Sequence, residues 1–355
     1  MLYMDLKELG EFGLIERIKE ALGGPLPDGV LGIGDDCAVL PQAGGMETLV
    51  STDMLLEGTH FLRGDIPARL LGWKSAAVNF SDIAAMGGRP AGSFLSLGLP
   101  KGLDSDWTDA FLAGYKECSD FCGAPLLGGD TTTSQDGIVI NVTVIGQCER
   151  GRSRKRSDAV PGDLICVTGP LGDSAAGLKL ILERHALSER HAFSERHARL
   201  DRASQMAGQA GHDVGAGHDV EAGHDSEALV QRHYRPVPRI REGLALAATP
   251  GVHAMMDISD GIASDLRHIL KASDVGATVR TQDVPLSAEM RQVCAQQGWD
   301  AVSLALSGGE DYELLFTMAP GTEPSVPYYV IGRITEQKTL VWEGSSQDFM
   351  GFRHF

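Results

Sequence analysis

Apolar runs that stop at an acidic residue beside a Gly or Ser turn recur along the whole chain. They are GIGDDC (32–37), LVSTDM (49–54), VNFSDIAAMGG (78–88), LLGGDTT (126–132), MMDISDG (255–261) and LSGGEDYELLF (306–316). Runs of this length, alternating with amphipathic helical stretches, predict an α/β architecture in which strand ends meet at a crevice. The acids at those ends are Asp35, Asp36, Asp53, Asp82, Asp130, Asp257, Asp260, Glu310 and Asp311. Taken one at a time, each has a structural account: Asp82 or Asp260 as a helix cap, Asp130 as a loop residue, Asp35 and Asp36 as a polar turn. Taken together they carry too much charge for one crevice, because two carboxylates ~4 Å apart repel by roughly 4 kcal/mol at an effective dielectric near 20. Divalent cations remove that conflict, and Mg²⁺ is a hard ion that takes carboxylates together with phosphate oxygens.

The GIGDD loop is not a dinucleotide fingerprint. Cys37 stands where a third Gly or Ala belongs, and the loop runs into a strand-like Ala38–Pro41 rather than a helix. The chain also lacks a G-x-x-x-x-G-K-[ST] loop and the HRD and DFG pair, which excludes P-loop and protein-kinase architectures at the level of motif.

A length of 355 residues predicts two domains. Helices are expected over 11–22, 67–88 (interrupted near Asn79–Ser81) and 104–123, and strands over 47–53, 91–100, 125–130 and 136–148. Ile138, Ile140, Val142 and Val144 show the period of two expected of a half-buried strand. The basic, Gly- and Pro-marked segment 150–163 is the expected boundary between residues 1–150 and 151–355. The strand–helix pattern then resumes at 163 and runs to about 318. Between 183 and 226 an ERHA repeat and a GHD repeat place histidines every six residues, a period that fits neither helix nor strand; this segment is expected to be a disordered insertion, with metal scavenging as the alternative.

A net charge of −17 disfavours nucleic acid and anionic membranes as partners. Six dispersed cysteines without a CxxC pair point to reduced thiols and a cytoplasmic setting. The charged N-terminal stretch does not read as a signal peptide, and no apolar run approaches the ~20 residues that span a bilayer.

GEFGLI (10–15), GIGDDCAVL (32–40), STDMLLEGTHF (51–61), AVNFSDIAAMGGRP (77–90), LGGDTT (127–132), TGPLGDSAAGL (168–178), RHYRPVPRI (232–240), MDISDGIASDL (256–266), SGGEDYELLFT (307–317) and GFRHF (351–355) together resemble, in order, the thiamine-monophosphate kinases of the aminoimidazole ribonucleotide synthetase superfamily. The resemblance implies two α/β domains, N-domain sheets pairing in a homodimer, and transfer of phosphate from ATP to thiamine monophosphate. It implies Asp36, Ser51, Thr52, Asp53, Asp82, Asp130, Asp257 and Asp260 as Mg²⁺ ligands. ATP would meet Gly129, Asp130, Arg156 and Ser259. Thiamine monophosphate would meet His60, Glu310 and a stacking Phe352, with Phe349 as the alternative. Sister enzymes of the superfamily fit less well: the first cysteine follows the Asp pair, and the chain ends in His354-Phe355 rather than cysteine. A purine-pathway cyclase, a two-metal phosphohydrolase and a non-catalytic nucleotide sensor remain as rivals.

Overall fold

The computed structural model describes residues 6–188 and 224–351. Phe352 and residues 189–223 of the histidine repeats lie outside them.

The first half is built on a five-stranded sheet. Its strands are β1 (Ala38–Pro41), β2 (Met46–Leu56), β3 (Arg89–Pro100), β4 (Leu126–Ser134) and β5 (Val139–Glu149), in the order β1-β2-β5-β3-β4. All neighbours are antiparallel except β3 and β4. The predicted alternation in β5 holds, with Ile140, Val142 and Val144 fully buried and facing the helices. Helix α1 (Leu6–Leu22) is broken at Gly10. Helix α2 (Ala68–Ala85) is buried along most of its length, and α3 (Ser105–Cys122) packs across it. The crossing is tight enough to require glycine: a Cβ on Gly114 would lie 1.7 Å from the Arg69 carbonyl oxygen, and one on Gly72 would lie 1.9 Å from that of Phe111. The limits of α3 follow its sequence signals, with Asp104 accepting the Asp106 N–H at 3.1 Å and Gly123 closing the helix in the left-handed region.

One expectation fails. α2 is continuous through Asn79–Ser81. Those polar residues do not interrupt it because each has a partner: Asn79 Nδ2 donates to the Ser75 carbonyl at 2.9 Å, and Ser81 Oγ donates to Asp257 Oδ2 at 2.5 Å.

The second sheet contains β6 (Leu164–Val167), β7 (Val252–Asp257), β8 (Gly276–Arg280), β9 (Leu314–Met318), β10 (Tyr329–Thr335) and β11 (Leu340–Glu343), in the order β11-β8-β10-β6-β9-β7. Helices α4 (173–188 as described), α5 (His224–Tyr234), α6 (Ile240–Ala248), α7 (Ile262–Ser273), α8 (Ala288–Gln297) and α9 (Ala301–Ser307) accompany it. The α/β architecture is as expected, but the strand pattern extends past 318 to include β10 and β11. Helix α2 touches α5, α6 and β7, so the first half's central helix is also packed against the second half.

Candidate active site

Strand β2 delivers the first acids. Asp53 is paired with Val142, and Val142 with Leu95, so all three point to the same, helix-covered face. Ser51 shares that face and its Oγ donates to Asp82 Oδ2 at 2.5 Å. Asn79 on α2 accepts the Asp53 N–H at 3.1 Å, which ties helix to strand at this point. Thr52 alternates to the outer face, where its Oγ1 sits 3.0 Å from Thr143 Oγ1, so only its backbone is on offer to the inner site.

Three of the predicted ligands meet from three separate stretches of chain. Carboxylate oxygens of Asp36, Asp82 and Asp257 all lie within 4.8 Å of one another. Asp36 comes from the loop before β1, Asp82 from α2 and Asp257 from the end of β7. Arg156, on the turn 156–158, pairs through its guanidinium with Asp36 Oδ1, and its backbone N–H reaches Asp35 Oδ2 at 3.3 Å. Of the four arginines between 150 and 156, Arg156 is the one that meets these acids: Arg150 binds the Gln42 carbonyl, Arg152 pairs with Glu149, and Arg154 binds the Ala247 carbonyl. Asp36 Oδ2 remains buried without a hydrogen-bond partner. An orphaned carboxylate oxygen facing two more carboxylates suits a hard divalent cation, so the donor set fits Mg²⁺.

The acids are electrostatically strained. Burial, reinforced by neighbouring carboxylates, pushes Asp35 and Asp257 up to about 7 and raises Asp53 and Asp82 as well; burial alone raises Asp36, against the opposing pull of Arg156. Burial also pushes the Cys37 thiol well above its ordinary range, so the cysteine beside the Asp pair is a protonated core residue. Asp265 was missed in the sequence. It is buried, is pushed up by burial and by Asp260, and keeps one oxygen without a partner.

Asp53, Asp82 and Asp257 line a cavity of about 810 Å³ that is also lined by His60, Lys74, His233, Ser259, Asp260 and Glu310. The volume suits a small-molecule substrate. His60 is held by its Nδ1, which accepts the Leu56 N–H at 2.9 Å. Glu310 and Tyr312 both adopt left-handed backbone (φ 62 and 51), where a non-glycine residue costs ~1–3 kcal/mol. Backbone bonds hold them there: the Glu310 N–H donates to the Ser259 carbonyl at 2.7 Å and the Tyr312 N–H to that of Ile258 at 2.9 Å. This joins the MDISDG turn to the SGGED loop, and Gly261 permits it, because a Cβ there would lie 2.6 Å from the Gly308 carbonyl oxygen. Neither Ser259 nor Asp260 caps α7; its N-cap is Gly261, without a side-chain bond.

Three predicted residues lie elsewhere. Gly129 and Asp130 are exposed on β4, three strands from Asp53, or roughly 14 Å across a sheet. Phe349 is buried edge-on against Trp342, centroids 5.5 Å apart, which occupies its ring. Lys74 and His233, which also line the cavity, were missed as well. Lys74 is signalled in the sequence by its setting, LLGWKSAAVNF, a lysine in an apolar helix with no polar face around it.

Residues 34–148 match the family described as AIR synthase related protein, N-terminal domain, and residues 219–343 match its C-terminal domain. The chain is 35% identical to the thiamine-monophosphate kinase of Aquifex aeolicus (strain VF5), across 99% of this chain and 100% of that protein. It is 38% identical to the thiamine-monophosphate kinase of Salmonella typhimurium (strain LT2), across 98% of each. A solved structure of AaThiL complexed with AMPPCP and TMP superposes with a TM-score of 0.82 at 34% identity, covering 100% of both chains.

Proposed function

The chain belongs to the thiamine-monophosphate kinases of the AIR synthase related family, and from that premise we infer that it transfers the γ-phosphoryl group of ATP to thiamine monophosphate, releasing ADP and thiamine diphosphate. The observation that carries the reading is the Asp36–Asp82–Asp257 cluster, with the orphaned Asp36 Oδ2, at a cavity that Asp82, Asp257 and Glu310 all line.

The acceptor is a phosphate oxygen that is already anionic near neutral pH, so the protein has little proton to remove. Its task is to bring two anionic groups together and align them. Asp36, Asp82 and Asp257 would hold Mg²⁺, joined by Asp53, Ser51, the Thr52 backbone and Asp260; Asp130, exposed on β4, would act on the nucleotide instead. Mg²⁺, when bound, supplies charge neutralisation for the phosphates. Ser51 and Ser81 fix the carboxylates of Asp82 and Asp257 by donating to one oxygen of each. Gly129, Asp130, Arg156 and Ser259 are assigned to ATP, with Arg156 already aimed at the acids. His60 and Glu310 are assigned to the acceptor, and Phe352 is retained as its stacking partner from outside the described residues. The acceptor oxygen forms its bond to γ-phosphorus as the bond to the β,γ-bridging oxygen breaks. No side chain takes the phosphoryl group on the way, in keeping with the protonated state of the Cys37 thiol.

Residues 1–150 form the nucleotide- and metal-binding domain in this reading and 151–355 the second domain. The protein acts as a homodimer joined through its first sheet. Support comes from the outer face and edge of that sheet, where Met54, Leu126 and Leu127 are about half exposed. Light scattering is expected to return twice 37.8 kDa. A cytoplasmic setting is supported by six cysteines that are all free thiols.

The deciding experiment is a coupled ADP assay over a panel of phosphorylated acceptors, with Mg²⁺ present and then chelated. ADP should appear with thiamine monophosphate alone and stop on chelation. Equal ADP release without an acceptor would assign the protein to the hydrolases instead.

A further inference from the structure

Lys74 lies on the second turn of α2, in the first half of the chain, and is 0% exposed. A lysine is almost never fully buried without a partner, and an unpaired buried ammonium is strongly disfavoured. Its partner is on the other half: Lys74 Nζ is 2.9 Å from Glu310 Oε1. A third residue, His233 of α5, closes the cluster, with Nε2 3.4 Å from Lys74 Nζ and Nδ1 3.2 Å from Glu310 Oε2. Burial, helped by the Lys74 charge, lowers His233 to about 3, so its ring is neutral. The contacts then fix its tautomer. Nε2 accepts from Lys74 and the Nδ1 proton is directed at Glu310, with Ser174 Oγ 3.0 Å away. Both Glu310 oxygens are therefore held, one by a charge and one by a neutral donor. His60 adds to the positive surroundings of Glu310, and these groups together keep its carboxyl below the usual range against a burial effect that acts the other way.

We propose that Lys74, acting through Glu310 and with His233 as its hydrogen-bond relay, is a positioning and specificity residue that presents an ionised carboxylate to the cationic ring of the acceptor. The inference rests on the kinase reading above. The acceptor's thiazolium carries a permanent positive charge, and a carboxylate fixed in ionised form at the cavity wall recognises that charge. A neutral or mobile glutamic acid would not distinguish it from an uncharged ring of the same shape. The left-handed backbone of Glu310 is consistent with a side chain whose direction is set by its surroundings. Lys74 itself is covered and touches the acceptor only through Glu310.

The test uses full-length protein and three readouts. Lys74→Met keeps the stem of the side chain and removes the charge. It should raise KM for thiamine monophosphate roughly 30-fold or more while leaving KM for ATP within about threefold. Lys74→Arg should recover most of the loss. The same substitution made in a Glu310→Gln background should cost almost nothing further, because the charge it supports is already gone. With the isosteric analogue in which the ring's quaternary nitrogen is replaced by carbon, wild type and Lys74→Met should differ little. A KM for thiamine monophosphate that is unchanged in Lys74→Met overturns the inference, as does a loss that adds in full to that of Glu310→Gln. If Lys74→Met does not fold, Lys74→Gln, which keeps a donor and loses the charge, decides in its place. A wild-type protein that makes no ADP with thiamine monophosphate refutes the kinase reading itself, which separates that failure from this one.

Discussion

Replacing Asp257 by asparagine separates two roles of one carboxylate. Asp257 is buried, and burial with the nearby Asp36 raises it from 3.8 to about 7. A shift of about three units corresponds to roughly 4 kcal/mol, so the metal-free fold carries a penalty of that order once the group is ionised. The sign follows from the direction of the shift. A carboxyl raised in the folded state stabilises fully below its unfolded value near 4, and that stability is lost as pH rises through about 7. Asparagine removes the penalty at high pH and still accepts from Ser81 Oγ through its own Oδ1. An imperfectly satisfied buried amide costs ~2 kcal/mol in return. Urea unfolding at pH 8 with chelator should therefore show Asp257→Asn more stable than wild type by about 2 kcal/mol. At pH 5 the advantage should vanish. Saturating Mg²⁺ should stabilise the wild type more than the variant, and turnover in the variant should fall by ~100-fold or more. An Asp257→Asn protein that is less stable than wild type at pH 8 in chelator, with the same dependence on pH, would refute the strained-carboxylate account.

Asp53→Asn and Asp130→Asn should each abolish ADP formation with an unchanged circular dichroism spectrum; near-normal activity in either would remove that residue from the site. Arg156→Ala leaves Asp35 and Asp36 without their cation and should cost about 3 kcal/mol in chelator at pH 8, part of it regained on adding Mg²⁺, as read by urea midpoint. Gly114→Ala drives a methyl group into the Arg69 carbonyl and should lower stability by about 3 kcal/mol by the same measurement, with KM for both substrates unchanged in the folded fraction.

Local signals carried much of the fold. The period of two in β5 and the Asp104 and Gly123 caps of α3 are each decided by residues within a few positions of one another, whereas β2 runs past the expected end at Asp53 to Leu56. What failed was decided at long range. Asn79 and Ser81 read as a helix breaker because their partners, β2 and Asp257, are invisible locally. β10 and β11 follow a Pro- and Gly-rich stretch (319–327) that masks the return to strand. At the site, an acid beside a Gly or Ser turn marked the class, but Asp53 lies inside β2 and Asp82 inside α2 rather than at strand ends, and which three meet depends on how α2 lies between the sheets. Lys74 escaped notice because a lysine is taken for a solvated residue unless the apolar residues around it are weighed. Asp130 was expected to end a strand at 130, but β4 continues to Ser134, and Asp130 sits exposed at its middle rather than in the cluster.

Helix α2 belongs to the first sheet by sequence and to the second half by its bonds. Trp73 Nε1 donates to the Pro236 carbonyl at 2.6 Å, Ser81 holds Asp257, Lys74 meets Glu310, and Gly87 leaves no room for a Cβ beside Ala247. A gene cut after codon 150 would thus yield a fragment whose central helix displays a bare ammonium and an apolar flank to water, with neither neutralised by its own sheet. The two lobes are expected to melt in one calorimetric peak, and natural truncations within this lineage should be tolerated at the ends of the polypeptide rather than at its midpoint.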